Sequence, residues 1–436
     1  MIFFRNSIIS LIAYGLYLVL SIGLNVFVSR IYGPEGSGTL ALLVLFSGTV
    51  SLIFNFGLGQ AAVYFLGQKI YSEREIVNNL FSMCWLIGLP VAALLIVSLP
   101  LYGNIMFSGI PITQVVLIIA ITPFTIGKLY VEYIFAGIHN FLWNSGLNII
   151  DIGLRLVLIA IFLPFDLGLE GIVFAIMIST FLSFIFGWYR MYRRTNQLKI
   201  SVQPLLLSRM SKYGLSSYTS NLVTFLNLRL DQFLVGIFLP LDQLGLYLIA
   251  VIIAELPMKL ATGMTKVLFS KVSSLGSADA TRITNATMRT IMTLAAISTA
   301  ILYIIGPALI QLLFGNKFTG ATSALWFLLP GALLFNFTQI LYSDLSGRGK
   351  PAIGMYASLV SLVITLLGNI ILTPKWGING AAFTSSVSYF VAAIIIVTGY
   401  LRTTGQSLHH LLWFTGNDKR YVLGLLRQSL TSLKKN

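Results

Sequence analysis

Twelve stretches of this chain are each apolar for about 20 residues, and the connections between them are short. They run over 8–30, 39–66, 79–101, 113–136, 144–163, 171–190, 214–239, 244–268, 288–313, 320–343, 352–373 and 380–401. A run of this length covers the roughly 30 Å hydrocarbon core of a bilayer as an α-helix. Lipid offers a backbone no hydrogen-bonding partner, so only helices and closed barrels can cross it. The runs lack the period-two alternation of a barrel strand. The predicted fold class is therefore an all-α polytopic membrane protein. Composition agrees, at 9% charged residues and a mean hydropathy of +0.89, where a soluble domain is about one quarter charged.

Charge placement sets the topology. An even number of spans puts both termini on one side, and twenty Lys and Arg fall there, among them Arg190, Arg193, Arg194 and the tail residues Arg402, Lys419 and Arg420. The opposite side holds three, Arg30, Lys317 and Lys375. The positive-inside rule then predicts that both termini are cytoplasmic. The net charge of +15 thus reports topology and predicts no nucleic-acid partner. The first apolar run is too long for a signal-peptide core and is read as a membrane helix. Leucines at 423, 425, 426, 430 and 433 among Lys and Arg suit a tail helix lying on the anionic leaflet.

Little points to catalysis. Cys84 alone excludes an internal disulfide, and His139, His409 and His410 assemble no metal-ligand cluster. GPEGSG (33–38) lacks the Lys-Ser/Thr of a phosphate loop. No loop is long enough for an extramembrane catalytic domain, which argues against a membrane glycosyltransferase or polymerase. No enzyme and no cofactor are predicted.

The chain repeats itself. FVSRIYGPEGSGTLAL (27–42) matches FLVGIFLPLDQLGLYL (233–248), pairing Pro34 with Pro240 and Gly38 with Gly245. LGLEGIVFAIMIS (167–179) matches WGINGAAFTSSVS (376–388), pairing Gly168, Gly171, Phe174 and Ser179 with Gly377, Gly380, Phe383 and Ser388. Gly137 and Pro164 pair with Gly347 and Pro374, and all offsets lie between 206 and 210 residues. Six helices per half make a parallel repeat. The expected domains are a first lobe at 1–190, a cytoplasmic linker at 191–213, a second lobe at 214–401 and a basic tail at 402–436. Two such lobes facing a central cavity form a transporter.

Ions inside the spans mark where function lies. The cations are Lys128, Arg155, Arg229, Lys259 and Lys266, and the acids are Glu132, Asp151, Asp231, Glu255 and Asp344. Several belong to polar stripes spaced i, i+4, i+7, i+11 along one helix face: Asn144, Asn148, Asp151 and Arg155; Ser220, Thr224, Asn227 and Asp231; Glu255, Lys259, Thr262 and Lys266. A shorter stripe joins Thr125, Lys128 and Glu132. Such faces turn inward, to protein or to water. Asp151–Arg155, Lys128–Glu132 and Glu255–Lys259 can also close as i, i+4 pairs within one helix. Arg229 lies about 200° round its helix from Asp231 and must look elsewhere. Pro123 and Pro257 stand beside these ions as expected kinks.

RIYGPEGSGTLAL (30–42) resembles the R-x-LGPEG-x-G signature of polysaccharide-unit flippases. LRLDQFLVG with LGLYLIAVIIAELP (228–257), and VLFSKVSSL (267–275), are similar to that family's second-half motifs, with Ser270 where proline is usual. The family belongs to the multidrug/oligosaccharidyl-lipid/polysaccharide (MOP) exporter superfamily. The related lipid II flippases carry two further C-terminal helices, and their V-A-R-I-F-G-A-G motif resembles VSRIYGPEG here, which implies a shared role for Arg30. The resemblance implies alternating-access transfer of an undecaprenyl-pyrophosphate-linked oligosaccharide from the cytoplasmic to the periplasmic leaflet of the bacterial inner membrane. Membrane lipids, a polysaccharide polymerase and a chain-length regulator are the implied partners. Arg155, Lys128, Arg229, Lys259, Lys266 and Arg30 would hold the pyrophosphate, and Asn148 and Asn227 would bond sugar hydroxyls. Asp151, Asp231, Glu132 and Glu255 would tune the cations or carry a coupling ion. The alternative is a cation-coupled multidrug exporter of the same superfamily, which would depend on an acid such as Asp151.

Overall fold

The computed structural model describes the backbone of residues 2–412, with all side chains in that range except those of 2–12, 14, 141, 216, 217, 220, 221, 263, 266, 267, 270, 274 and 412. The expected tail helix at 423–433 and the side chains of Ser220 and Lys266 thus lie outside the described residues. Every regular element among the described residues is helical.

Two helices are too long for one crossing. α1 (Ile2–Phe54) and α12 (Pro351–Thr404) contain 53 and 54 residues, about 80 Å each if straight. Each breaks at a glycine in a conformation closed to other residues: Gly33 with φ 67° and ψ −165°, Gly377 with φ 60° and ψ −145°. Each is therefore two spans.

Between them lie α2 (Leu58–Gln68), α3 (Glu73–Met106), α4 (Ile112–Ala120), α5 (Thr122–Gly137), α6 (Phe141–Phe162), α7 (Gly168–Thr195), α8 (Pro204–Phe238), α9 (Leu241–Ser274), α10 (Ser277–Phe314) and α11 (Ala321–Gly347), and α13 (Leu408–Leu412) follows α12. Among the described residues, eight helices are long and apolar enough to cross a membrane, or nine with α4 and α5 taken as one span bent by 40°. Counting α1 and α12 twice and adding α8, with its ions at Arg229 and Asp231, gives the expected twelve. The bend before α5 falls where Pro123 predicts it. Proline occupies the first turn of α5, where its missing N–H has no partner to lose.

The chain divides into two compact units, Met1–Gly245 with Leu313–Lys317, and Leu246–Leu312 with Phe318–Asn436. In the first, Leu80, Ile126, Tyr130, Val131, Leu147 and Trp188 form a buried apolar core. α8 follows the linker in sequence yet packs in this unit. Gly57 and Gly214 approach so closely that a Cβ on either would meet the other's backbone, and Tyr218 Oη donates to the Ile53 carbonyl at 2.7 Å. Gly38 and Gly245, paired by the repeat, pack on each other. A Cβ on Gly38 would overlap the Leu241 carbonyl, and one on Gly245 would overlap the Pro34 carbonyl.

The linker is strapped down in its extended part. The backbone N–H groups of Lys199, Ser201 and Gln203 donate to Asn78 Oδ1 (3.1 Å), Ser82 Oγ (2.8 Å) and Asn79 Oδ1 (2.9 Å) of α3. Alternate residues bond because an extended chain turns every second N–H to the same side. Asn79 is 1% exposed, so Asn79→Ala leaves the Gln203 N–H without its acceptor. A loss of about 1–3 kcal/mol is expected, read as a melting temperature several degrees lower in detergent. An unchanged melting temperature would show that the strap is not held there.

Other repeat pairs match in structure. Gly137 and Gly347 are the last residues of α5 and α11. Gly168 and Gly377 both adopt positive φ, 55° and 60°. Ser179 and Ser388 each donate to the carbonyl three residues back, Ile176 at 3.0 Å and Ser385 at 2.9 Å.

In the second unit, Asp344 is fully buried and accepts from Arg348 Nε and Thr284 Oγ1, both at 2.6 Å. Arg348 also donates to Ser277 Oγ and Thr281 Oγ1. A buried pair bonded on both sides is structural, since its desolvation is offset by its own partners. Of the membrane acids expected from sequence, Asp344 is thereby committed to packing.

Candidate functional site

α5 carries Lys128 and Glu132 one turn apart, and α6 carries Asp151 and Arg155 at the same spacing. Where the two helices pack, both cations meet one carboxylate oxygen. Lys128 Nζ lies 2.5 Å and Arg155 Nη2 lies 2.8 Å from Asp151 Oδ2. Arg155 Nε donates to Ser179 Oγ of α7 at 3.1 Å, and Ser179 is itself anchored to the Ile176 carbonyl. Lys128 Nζ stands 3.8 Å from Glu132 Oε1, close enough to attract and too far to hydrogen-bond. The expected in-helix pairs Asp151–Arg155 and Lys128–Glu132 are both present. The inter-helix bridge from Lys128 to Asp151 is new.

These groups border a cavity of about 280 Å³ within the first unit. Lys128, Glu132 and Arg155 line it, with the hydroxyls of Ser47, Ser51, Thr125 and Thr180. Ser51 Oγ donates to Thr125 Oγ1 at 2.7 Å, tying α1 to α5. The Asp151 side chain is 4% exposed, against 13% for Lys128, 16% for Arg155 and 23% for Glu132. The acid thus lies behind the cations and does not line the cavity. Asp151 spends two cation N–H bonds, while Lys128 and Arg155 keep further donors. Two neighbouring cations with donors in reserve, in surroundings of low dielectric, suit a phosphate or another oxyanion.

Of the other residues predicted from sequence, Asn148 faces the Glu132 carboxylate from α6 and the rest lie apart from this cluster. Asn148 is half-buried on α6, one turn before Asp151, and donates to the Asn144 carbonyl at 3.4 Å. On α8, Asn227 and Asp231 are buried and Arg229 is half-buried. Asp231 Oδ1 accepts the Gln232 N–H at 2.8 Å. The cavity lining includes Phe225 of α8 and none of these three. Arg30 is exposed, and its Nε donates to the Leu313 carbonyl at 2.9 Å, near the C-terminal end of α10 where a cation is favoured. Glu255 and Lys259 are half-buried on α9 in the second unit. Ser47, Ser51, Ser179 and Thr180 are site residues that ion-seeking reasoning passes over. Ser179 alone carried a signal, through its repeat partner Ser388.

Two further pockets differ in chemistry. One of about 600 Å³ sits among the ends of α2, α5 and α7, by Lys69, His139 and the Arg194–Glu73 pair. The other, about 440 Å³ in the second unit, is lined among the described residues by uncharged side chains including Gln339, Tyr342 and Ser343. Among the described residues, no group of three or more His, Cys, Asp or Glu is placed to hold a metal ion.

Known proteins resemble the chain in sequence and in fold. The profile of the "Polysaccharide biosynthesis protein" family matches residues 27–323, more than half of the chain. The "Probable low-salt glycan biosynthesis flippase Agl15" of Haloferax volcanii is 24% identical over 200 residues, 44% of this chain and 42% of that one. The chain spans less than half the length of the curated relatives it matches. The lipid II flippase MurJ, in an inward closed conformation, superposes with a TM-score of 0.77 at 16% identity, covering 98% of this chain and 97% of that one. An inward-facing multidrug resistance MATE family transporter of the MOP superfamily superposes with a TM-score of 0.76 at 15% identity, covering 92% and 98%. With twelve helical passes and the family profile in hand, the chain is a multi-pass membrane protein that belongs to the polysaccharide biosynthesis protein family and has the fold of MOP-superfamily transporters.

Proposed function

We propose that this protein is a flippase that carries a polyprenyl-diphosphate-linked oligosaccharide from the cytoplasmic to the outer leaflet of the inner membrane by alternating access. The observation that carries the reading is the Lys128–Arg155 pair, held from behind by Asp151 on the wall of a membrane-embedded cavity. Its reserve N–H groups bind the diphosphate, and the hydroxyls of Ser47, Ser51, Thr125 and Thr180 bond the first sugar. The cavity of about 280 Å³ sits at the lower edge of ligand-pocket sizes. It suits a diphosphate and its first sugar, while the prenyl chain stays in lipid. Arg229 and Lys259 serve the headgroup at other stages of passage, and Asn227 bonds its sugars. The name of the Haloferax relative favours a glycan-lipid cargo. The undecaprenyl carrier, the cytoplasmic termini, and polymerase and chain-length regulator as downstream partners follow from the same reading.

Complementation tests it. In a strain lacking its own oligosaccharide-unit flippase, the wild type is expected to restore surface polysaccharide and Arg155→Ala to abolish it. Equal restoration by Arg155→Ala would overturn the reading. Glu132, a carboxylate on the cavity wall, favours a second reading as a cation-coupled multidrug exporter. Dye efflux lost on Asp151→Asn, without polysaccharide rescue by the wild type, would establish that instead.

A further inference from the structure

We infer that Glu132 is a displaceable counter-ion, neutralising Lys128 in the empty cavity and surrendering it to the diphosphate of the substrate. The inference rests on the flippase reading. Lys128 faces two carboxylates held in unlike ways. Asp151 is buried, hydrogen-bonded at 2.5 Å and shared with Arg155, so removing it would strand two cations. Glu132 is the most exposed of the four ions, lines the cavity and lies 3.8 Å from Lys128 without a hydrogen bond to it, its other polar neighbour being the uncharged Asn148.

Glu132 and Lys128 are neighbours on one face of α5, so a rotamer change separates them with the backbone in place. A phosphate oxygen arriving in the cavity makes a charge-assisted hydrogen bond to Lys128 that Glu132 does not make. The exchange leaves the Glu132 carboxylate beside a like charge, which favours its taking a proton. The groups able to oppose or assist that proton are few. Lys128 and Tyr133 stand on the same helix, and Asp151, Arg155 and the Asn148 amide, which opposes the proton, face it from α6. Tyr133 Oη accepts from Gln60 of α2 at 3.0 Å. Among the described residues, α1, α7 and α8 present only Ser, Thr, Gly and apolar side chains to the cavity. Anion binding and protonation of Glu132 therefore promote each other, so the loaded cavity carries a proton that the empty one lacks.

The test uses the purified full-length protein in detergent and a short-chain dialkyl diphosphate, whose own charge is constant over about pH 5 to 8. Wild-type affinity is expected to rise as pH falls. Glu132→Gln is expected to bind about tenfold more tightly than wild type at the alkaline end and to lose most of the pH dependence. Glu132→Ala provides the same readout should the Gln variant not fold. Variants with wild-type affinity and an unchanged pH profile, or with weaker binding at an unchanged melting temperature, would overturn the inference and leave the flippase reading standing. A wild type that binds no diphosphate at any pH would overturn the flippase reading itself.

Discussion

Replacing Asp151 with alanine is expected to abolish transport and to destabilise the protein by about 3–5 kcal/mol, the cost of breaking a buried ion pair from one side. Asp151 Oδ2 is the common acceptor of Lys128 and Arg155, and its side chain is 4% exposed. Without it, two cations with side chains no more than 16% exposed keep only Glu132 at 3.8 Å and Ser179. Asp151→Asn keeps the volume and one acceptor, so a smaller loss of stability is expected with a comparable loss of transport. The double variant Lys128→Met/Asp151→Ala removes one stranded charge and should recover part of the stability of Asp151→Ala without recovering transport. Melting temperatures in detergent read the first effect, and complementation reads the second. A fully stable Asp151→Ala protein would show that the cations do not depend on this acid.

Gly38→Val is the second large effect, expected to prevent recovery of folded protein. The glycine lies inside α1 with an ordinary helical backbone, so conformational freedom is not its purpose. Its purpose is contact: an added Cβ would overlap the Leu241 carbonyl, which is backbone and has no room to yield. Gly245 stands in the same relation to the Pro34 carbonyl. Separating α1 from the start of α9 would remove the close helix contact that small residues permit in a membrane, a change well above about 4 kcal/mol. Gly23→Ala, where a Cβ would meet nothing within 4 Å, is the control and should behave as wild type. Size-exclusion chromatography of detergent-solubilised protein distinguishes the two, and a monodisperse Gly38→Val protein would refute the packing argument.

Much of this architecture is legible in the sequence because lipid leaves the backbone so few choices. Apolar run lengths locate the spans, and Pro123 locates the break before α5. The pairing of Gly168 with Gly377 anticipates the positive φ that both adopt. In-helix ion pairs are equally legible, since i, i+4 spacing alone defines Asp151–Arg155 and Lys128–Glu132. The Lys128–Asp151 bridge is not, because it depends on how α5 rotates against α6, and no periodicity within either helix encodes that angle. Depth is hidden for the same reason. Asp151 and Glu132 look alike as membrane acids, yet one stands behind the cations and the other lines the cavity. Arg30 matches a family motif, but a motif does not reveal that its guanidinium reaches the Leu313 carbonyl, 283 positions away. The packing of α8 with the first unit likewise follows from Gly57 meeting Gly214, a contact between segments with no sequence relation.

The most direct measurement is translocation in proteoliposomes containing the purified protein and a polyprenyl-diphosphate oligosaccharide, followed by lectin access to the sugar from outside. Wild-type protein should move the sugar from the inner to the outer leaflet, and Arg155→Ala protein, reconstituted at the same density, should leave it inside. Transfer by Arg155→Ala at the wild-type rate would contradict the assignment of the Lys128–Arg155–Asp151 cluster as the site that carries the diphosphate.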